Sequence, residues 1–136
     1  MIDYTPLANA LGQLNTAVEE QRLEPERTLL RDGLIQRFEF VFELSLRLLR
    51  RHLEETTIQG IEVRQYTFES LIRLADENEL LLSPVAMWKK YREARNLTSH
   101  TYNEAVALDL VDRIPPFAWE AQHLLERLQK RDSPNA

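Results

Sequence analysis

Apolar residues recur every three or four positions along most of the chain, which is the spacing of one face of an α-helix. The first predicted helix begins at Thr5-Pro6, with Thr5 as the N-cap and Pro6 at the first helical position. Its apolar stripe runs from Leu7 to Val18, and the pattern fades near Gln21. Because alternation of apolar and polar residues is almost absent, strands are not expected.

The longest pattern predicts a second helix from about Pro25 to Glu55. It carries two adjacent stripes: Leu30, Leu34, Phe38, Val41, Ser45 and Leu48, and beside them Ile35, Phe42, Leu46, Leu49 and Leu53. At about 1.5 Å per residue this helix would extend roughly 45 Å, beyond the ~30 Å of a small compact domain. We therefore expect an elongated bundle in which one of the two stripes is available to a second subunit.

Shorter elements follow. The pattern predicts a loop from Thr56 to Tyr66, a helix from Phe68 to Glu79, a helix with Ser83 as N-cap that runs to Thr98 or Ser99, and a last helix with Asn103 as N-cap. In the last helix, Pro115-Pro116 predicts a kink or break, because the residue before a proline disfavours the α conformation. Residues 133–136 are expected to fray. The predicted fold is an all-α, up-and-down bundle of four or five helices, in one domain spanning residues 1–136.

Composition narrows the chemistry. The 136 residues include no Cys and three His, which excludes disulfides and thiol catalysis and makes a metal site of histidines unexpected. The balance of 17 Lys+Arg against 22 Asp+Glu gives a net charge of −5, which excludes a generally basic surface. The N-terminus does not resemble a signal peptide, and no apolar run approaches the ~20 residues of a membrane span, so a cytoplasmic protein without membrane contact is expected.

One stretch is chemically distinct, residues 95–102 (RNLTSHTY). Arg95 can hold a phosphate and His100 can move a proton near neutral pH, a combination suited to metal-free phosphodiester cleavage. Asn96 and His100 are four residues apart and share a helical face, so the amide can orient the ring. Arg95 and His100 lie about 140° apart around a helix, so they converge only if the helix unwinds before His100 or if two copies meet.

A purely structural role for this stretch is the alternative. In it, Arg95 pairs with a carboxylate, His100 lies at the helix C-terminus against the dipole, and Tyr102 packs against the bundle. Glu39 and Glu43 share another helical face. That spacing suits a metal, but a Glu43–Arg47 ion pair is the favoured interpretation.

The remaining candidates are charged clusters and aromatic residues. Lys89, Lys90 and Arg92 precede Arg95 and predict a local basic patch for salt-sensitive contact with RNA. A second cluster comprises Arg47, Arg50, Arg51 and His52, and is interpreted as a solvated face or an RNA contact. Trp88 and Trp119 are expected in the core or at an interface, and His123 is assigned no function.

The stretch 95–102 resembles the motif of the HEPN superfamily, in which an Arg is followed after four residues by His, any residue and Tyr. Residues 37–44 (RFEFVFEL) resemble the second helix of one branch, the nucleotidyltransferase substrate-binding proteins, and the likeness runs from about Leu7 to Leu128. The resemblance implies a helical bundle that dimerises, so that two Arg/His motifs meet in a cleft. Many members of the superfamily are metal-independent RNases.

The resemblance also implies a partner. This branch typically forms a complex with a minimal nucleotidyltransferase that is encoded beside it. In related toxin–antitoxin pairs the HEPN protein is the toxin, and the nucleotidyltransferase silences it by transferring AMP to the motif tyrosine, here Tyr102. Another interpretation of the branch makes the helical protein the subunit that supplies the substrate site.

We therefore predict a homodimeric, metal-independent endoribonuclease of the toxin type. Arg95 and His100 are expected to be central to catalysis, and Asn96 to orient. Tyr102 is expected to be a modification site or a ligand contact, and Glu43 to contribute to the cleft. The expected partners are a minimal nucleotidyltransferase and RNA, and no cofactor or metal is expected. The alternatives are a non-catalytic substrate-binding subunit and an assembly protein whose polar motif only closes the bundle.

Overall fold

The computed structural model describes residues 2–132, and this part of the chain forms five α-helices and two 3₁₀-helices without a strand. The α-helices are α1 (Thr5–Leu23), α2 (Thr28–Thr56), α3 (Phe68–Glu77), α4 (Val85–Leu97) and α5 (Glu104–Asp132). The 3₁₀-helices are Gly60–Gln65, within the predicted loop, and Thr98–His100, between α4 and α5. The all-helical prediction is confirmed, and the predicted fraying of residues 133–136 lies outside the described residues.

The start of α1 differs from its predicted cap by one residue. Thr5 is the first helical residue and Tyr4 occupies the cap position, where its side chain makes no capping hydrogen bond, so the prediction that Thr5 caps the helix is wrong. The carboxylate of Asp3 accepts the backbone N–H of Thr5 at 3.0 Å instead. Pro6 is therefore the second helical residue rather than the predicted first, and its missing N–H still costs no helical hydrogen bond there.

The start of α4 shows a similar shift. Pro84, with φ −60° and ψ 161°, occupies the cap position and Val85 begins the helix, so the prediction that Ser83 is the N-cap is wrong. The buried carboxylate of Glu120 on α5 accepts the backbone N–H groups of Leu82 at 2.8 Å and Ser83 at 3.4 Å. These bonds attach the segment before α4 to α5 and keep it out of the helix.

Most residues of both predicted stripes of α2 are buried within a single chain, and Leu30 and Leu46 are half-buried. Leu34, Phe38, Val41, Ser45 and Leu48 of one stripe are buried, as are Ile35, Phe42, Leu49 and Leu53 of the other. The prediction that one stripe is available to a second subunit is therefore wrong, because α1 and α5 both pack along α2. The large apolar side chains that α2 leaves in solvent are instead Leu29 and Phe40.

The predicted interruption of the last helix at Pro115-Pro116 is not a break. Residues Glu104–Asp132 form one α-helix with both prolines inside it. The prolines remove two intrahelical hydrogen bonds. Ile114, Phe117 and Ala118 on either side of the pair are buried, so tertiary packing holds the helix through this point.

An aromatic cluster fixes α4 against α2 and α5. The Phe117 ring of α5 lies 5.2 Å from Phe38 of α2 and 5.3 Å from Tyr91 of α4 (ring centroids), both edge-on. Trp88 is fully buried in the same cluster, which confirms its predicted place in the core. Trp119 is 75% exposed, so the core alternative is wrong for this residue. The cluster sets the position of the C-terminal end of α4, where the motif lies.

Candidate functional site

The motif 95–102 spans the junction between α4 and α5. The α-helix ends at Leu97, the next three residues form the 3₁₀-helix Thr98–His100, and α5 begins at Glu104. The change from α-helix to the tighter 3₁₀-helix begins at Thr98. Its backbone N–H and its hydroxyl both donate to the carbonyl of Arg95, the hydroxyl at 2.7 Å. The α-helix therefore ends before His100, which is the first of the two conditions under which Arg95 and His100 were expected to converge.

Arg95 is held by acidic side chains of α2. Its Nη2 and Nε atoms donate to Oε1 of Glu43 at 2.5 and 3.2 Å, and its Nη1 lies 3.6 Å from Oε2 of Glu39. The expected pairing of Arg95 with a carboxylate is confirmed, whereas the favoured Glu43–Arg47 ion pair is wrong. Glu43 pairs with Arg95 because the packing of α4 on α2 brings these two side chains together.

His100 and Tyr102 lie on the surface of the same junction. Both side chains are exposed, Tyr102 to 86%, and their ring centroids are 6.0 Å apart. The structural alternative, in which Tyr102 packs against the bundle, is therefore wrong. Within residues 2–132 the exposed side chain of Asn96 makes no hydrogen bond to His100, so the orienting role of Asn96 stays a prediction.

The predicted basic patch ahead of the motif is partly neutralised. Lys89 forms an ion pair with Glu69 of α3 at 3.3 Å, and the guanidinium of Arg92 lies 5.0 Å above the ring of Phe68. Lys90 faces a different surface, a groove of about 490 Å³ between α4 and α5. The four cations of α4 therefore do not form one free surface, because α2 and α3 supply acidic and aromatic partners that the local sequence does not reveal.

The second basic cluster also disperses. Arg50 donates to the carbonyls of Val63 at 2.7 Å and Tyr66 at 2.9 Å, which attaches the 3₁₀-helix Gly60–Gln65 to α2. His52 is buried, and its Nδ1 lies 3.5 Å from the hydroxyl of Tyr4. Burial lowers the pKa of His52. These two residues have structural roles, whereas Arg47 and Arg51 are exposed, so the solvated-face interpretation holds for only two of the four residues.

The described part of the chain lacks two further kinds of site. Between residues 2 and 132, no three His, Cys, Asp or Glu side chains are grouped in a way that could hold a metal ion, including the pair Glu39 and Glu43. In the same range, no helix combines the length and the apolar character that crossing a membrane requires.

The site includes one residue that sequence reasoning missed. The hydroxyl of Thr98 accepts a hydrogen bond from Nη1 of Arg95 at 3.1 Å, and Thr98 is buried beneath the motif. The spacing of three residues after Arg95 was the available signal, since it places the two side chains one turn apart.

Comparison with known proteins gives consistent results. The sequence matches, over residues 2–130, the family described as nucleotidyltransferase substrate binding protein like. It is 38% identical over 100 residues to the Haemophilus influenzae protein named probable ribonuclease HepT, and the alignment covers 74% of this chain and 68% of that protein.

Solved structures agree with the sequence match. The fold is similar to that of a Haemophilus influenzae protein described as having the fold of a substrate binding domain of a nucleotidyltransferase. The TM-score is 0.86 at 31% identity, covering 93% of this chain and 99% of that one. A crystal structure of a Thermus thermophilus protein gives a TM-score of 0.77 at 32% identity, covering 90% of this chain and 98% of that one. Because the sequence match and the shared fold both extend over most of the chain, this protein belongs to the nucleotidyltransferase substrate-binding branch of the HEPN superfamily.

Proposed function

We propose that this protein is a metal-independent endoribonuclease of the toxin type, which acts as a homodimer and is controlled by a minimal nucleotidyltransferase. The observation that carries the proposal is the junction between α4 and α5. There, a stretch of eight residues carries a guanidinium held by Glu43, an exposed imidazole and an exposed phenol. The relative named probable ribonuclease HepT supports the same assignment.

The proposed reaction uses the 2′-hydroxyl of the RNA as the nucleophile. His100 takes the proton of this hydroxyl, whose oxygen then attacks the adjacent phosphorus. The bond from phosphorus to the 5′-oxygen breaks, and the leaving oxygen receives a proton from the imidazolium of the second copy's motif. Arg95 stabilises the negative charge that builds on the phosphoryl oxygens. The products are a 2′,3′-cyclic phosphate and a 5′-hydroxyl.

A second copy is part of the proposal, and the exposed face of α2 is where we place it. Phe40 is 60% exposed and lies three residues before Glu43, so both side chains lie on the solvent face of the helix. Leu29 exposes its side chain about three turns earlier on the same face. A copy that covers Phe40 brings its own Arg95–Glu43 pair close to this one. Sedimentation is expected to give dimers for wild type and for the control Ile58→Gln, and monomers for Phe40→Gln; a monomeric wild type contradicts the proposal.

A second candidate function, a non-catalytic substrate-binding subunit, is favoured by the charges around Arg95. Two carboxylates, Glu39 and Glu43, flank one guanidinium, so the site carries more negative than positive charge. An RNA phosphate must therefore displace a carboxylate before it reaches Arg95. The Haemophilus influenzae structure that is described as the substrate binding domain of a nucleotidyltransferase supports this candidate.

Incubation of the purified protein with labelled RNA in EDTA separates the two candidates. The nuclease proposal predicts fragments that end in a 2′,3′-cyclic phosphate, and no cleavage of DNA of the same sequence, because DNA lacks the attacking hydroxyl. RNA that stays intact at stoichiometric protein, over a range of sequences and structures, contradicts the nuclease proposal and favours the substrate-binding subunit.

A further inference from the structure

Thr98 makes contact with both ends of Arg95. Its hydroxyl donates to the carbonyl of Arg95 at 2.7 Å and accepts from Nη1 of the same residue at 3.1 Å. Its backbone N–H bonds the same carbonyl. One residue, 7% exposed, therefore ties the backbone of Arg95 to its guanidinium at the point where α4 ends.

Besides the ion pair with Glu39, two side chains accept hydrogen bonds from the guanidinium, and they differ in their exposure to solvent. Glu43 holds the edge formed by Nε and Nη2, and its side chain is 56% exposed, so water or an incoming phosphate competes for that edge. Thr98 holds Nη1 from beneath the motif, where it is shielded from solvent. An arginine side chain has many rotamers, and its planar group presents donors in fixed directions. A bond at Nη1 that persists when Glu43 is displaced keeps the plane of the group in one orientation.

We propose that Thr98 is a positioning residue, which keeps the Arg95 guanidinium aimed at the phosphate when the substrate displaces Glu43. This inference rests on the proposed function, in which Arg95 meets a phosphate. Thr98 itself touches no reacting atom. A free Arg95 still carries its charge but spends more of its time in other rotamers, so fewer encounters with RNA are productive.

Kinetics of RNA cleavage test the role in three variants. Thr98→Val keeps the shape of the side chain and removes both hydroxyl hydrogen bonds, and it is expected to lower kcat/KM about tenfold. Thr98→Ser keeps the hydroxyl and is expected to restore activity to about the wild-type level. Ser99→Ala removes the neighbouring hydroxyl, which is exposed and donates to the carbonyl of Asn96, and it is expected to have no effect.

A readout that does not depend on cleavage separates this inference from the proposed function. In the arginine side-chain ¹⁵N–¹H spectrum of the full-length protein, the Nε–H peak of Arg95 is assigned by its loss in Arg95→Lys. Thr98→Val is expected to shift or broaden this peak, whereas Thr98→Ser and Ser99→Ala leave it in place. An unchanged peak in Thr98→Val overturns the inference, even if the wild type cleaves no RNA. A shifted peak with undiminished kcat/KM overturns it as well.

Discussion

At the scale of single residues, the motif divides into a fixed part and an accessible part. Arg95 is fixed by Glu43 and Thr98, whereas His100 and Tyr102 extend into solvent. A proton-transfer group must reach the substrate, and a residue that accepts a nucleotidyl group must reach the active site of another protein. The exposure of the imidazole and the phenol suits both tasks.

Tyr102 is expected to accept AMP from the nucleotidyltransferase partner. The phenol oxygen would attack the α-phosphorus of ATP and release pyrophosphate and a proton. After co-expression with the proposed minimal nucleotidyltransferase partner, peptide mass spectrometry is expected to find one adenylyl group, on Tyr102. Tyr4 and Tyr91 are buried in the core and are not expected to react. Tyr102→Phe abolishes the adduct and Tyr66→Phe retains it; an adduct on another residue, or none, contradicts the prediction.

Some contacts of these residues were predictable and others were not. The motif spacing identifies Arg95 and His100 because the chemistry depends on their residue types. The predicted partner of Glu43 was wrong. The spacing of four residues along the helix favours Arg47, whereas the packing of α4 on α2 brings Arg95 to Glu43. The spacing of Thr98 after Arg95 allows the two side chains to touch, but the burial of Thr98 is created only by the tertiary structure.

At the scale of elements, the site is a junction formed by two helix ends. The 3₁₀-helix Thr98–His100 follows the last turn of α4, and Asn103 then caps α5. The Oδ1 atom of Asn103 accepts the backbone N–H groups of Ala105 at 3.0 Å and Val106 at 3.3 Å, which confirms its predicted role. Because both helices end here, the motif side chains project from a short segment that is fixed at both ends.

Removing the cap of α5 is expected to destabilise the fold by about 1 kcal/mol, because Asn103→Ala leaves two N–H groups without their side-chain acceptor. Urea unfolding measures the change in the free energy of unfolding. Asn9→Ala is the matched control: Asn9 is exposed inside α1, where alanine is the better helix former, so a small gain is expected. Equal losses in the two variants would contradict the assignment of Asn103 as a cap.

Element types were easier to predict than their ends. The periodic pattern identified all five α-helices. The ends at Thr5 and Ser83 were misplaced because Asp3 and Glu120 satisfy backbone groups that side-chain caps usually satisfy. The continuity of α5 through Pro115-Pro116 depends on burial of its neighbours, which is a tertiary effect.

At the scale of the whole molecule, the two ends of the described chain meet on α2. The hydroxyl of Tyr4 lies against the buried ring of His52, and the backbone N–H of Ile2 donates to Asp132 at 3.4 Å. Burial lowers the pKa of His52. Asp132 and Glu55 oppose this shift, and Arg131 adds to it.

The buried His52 predicts a loss of stability on acidification. The unfolded chain takes up a proton near the ordinary pKa of 6.5, whereas the folded chain takes it up at lower pH. Between the two pKa values the unfolded state binds more protons, so the free energy of unfolding falls as pH decreases through 6.5. Thermal melts of wild type and His52→Gln at several pH values measure this. The wild type is expected to lose more stability than the variant below that pH, and parallel curves would contradict the prediction.

The net charge of −5 is an average over the chain. The sequence predicted a local basic patch just before the motif, but the folded protein does not present these residues as one free basic surface. Lys89 and Arg95 each have an acidic partner from another helix, which a one-dimensional count of charges does not reveal. Contact with RNA is therefore expected to depend on displacing these partners rather than on a preformed basic surface.

The same substitution at two histidines tests most directly whether the junction of α4 and α5 is the catalytic site. RNA cleavage in EDTA is measured for wild type, for His100→Gln and for His123→Gln, whose site lies inside α5. Both variants are checked for wild-type helical content and oligomeric state. His100→Gln is expected to lose cleavage, whereas His123→Gln is expected to retain it. Wild-type rates in a folded His100→Gln protein would contradict the claim that this junction is the catalytic site.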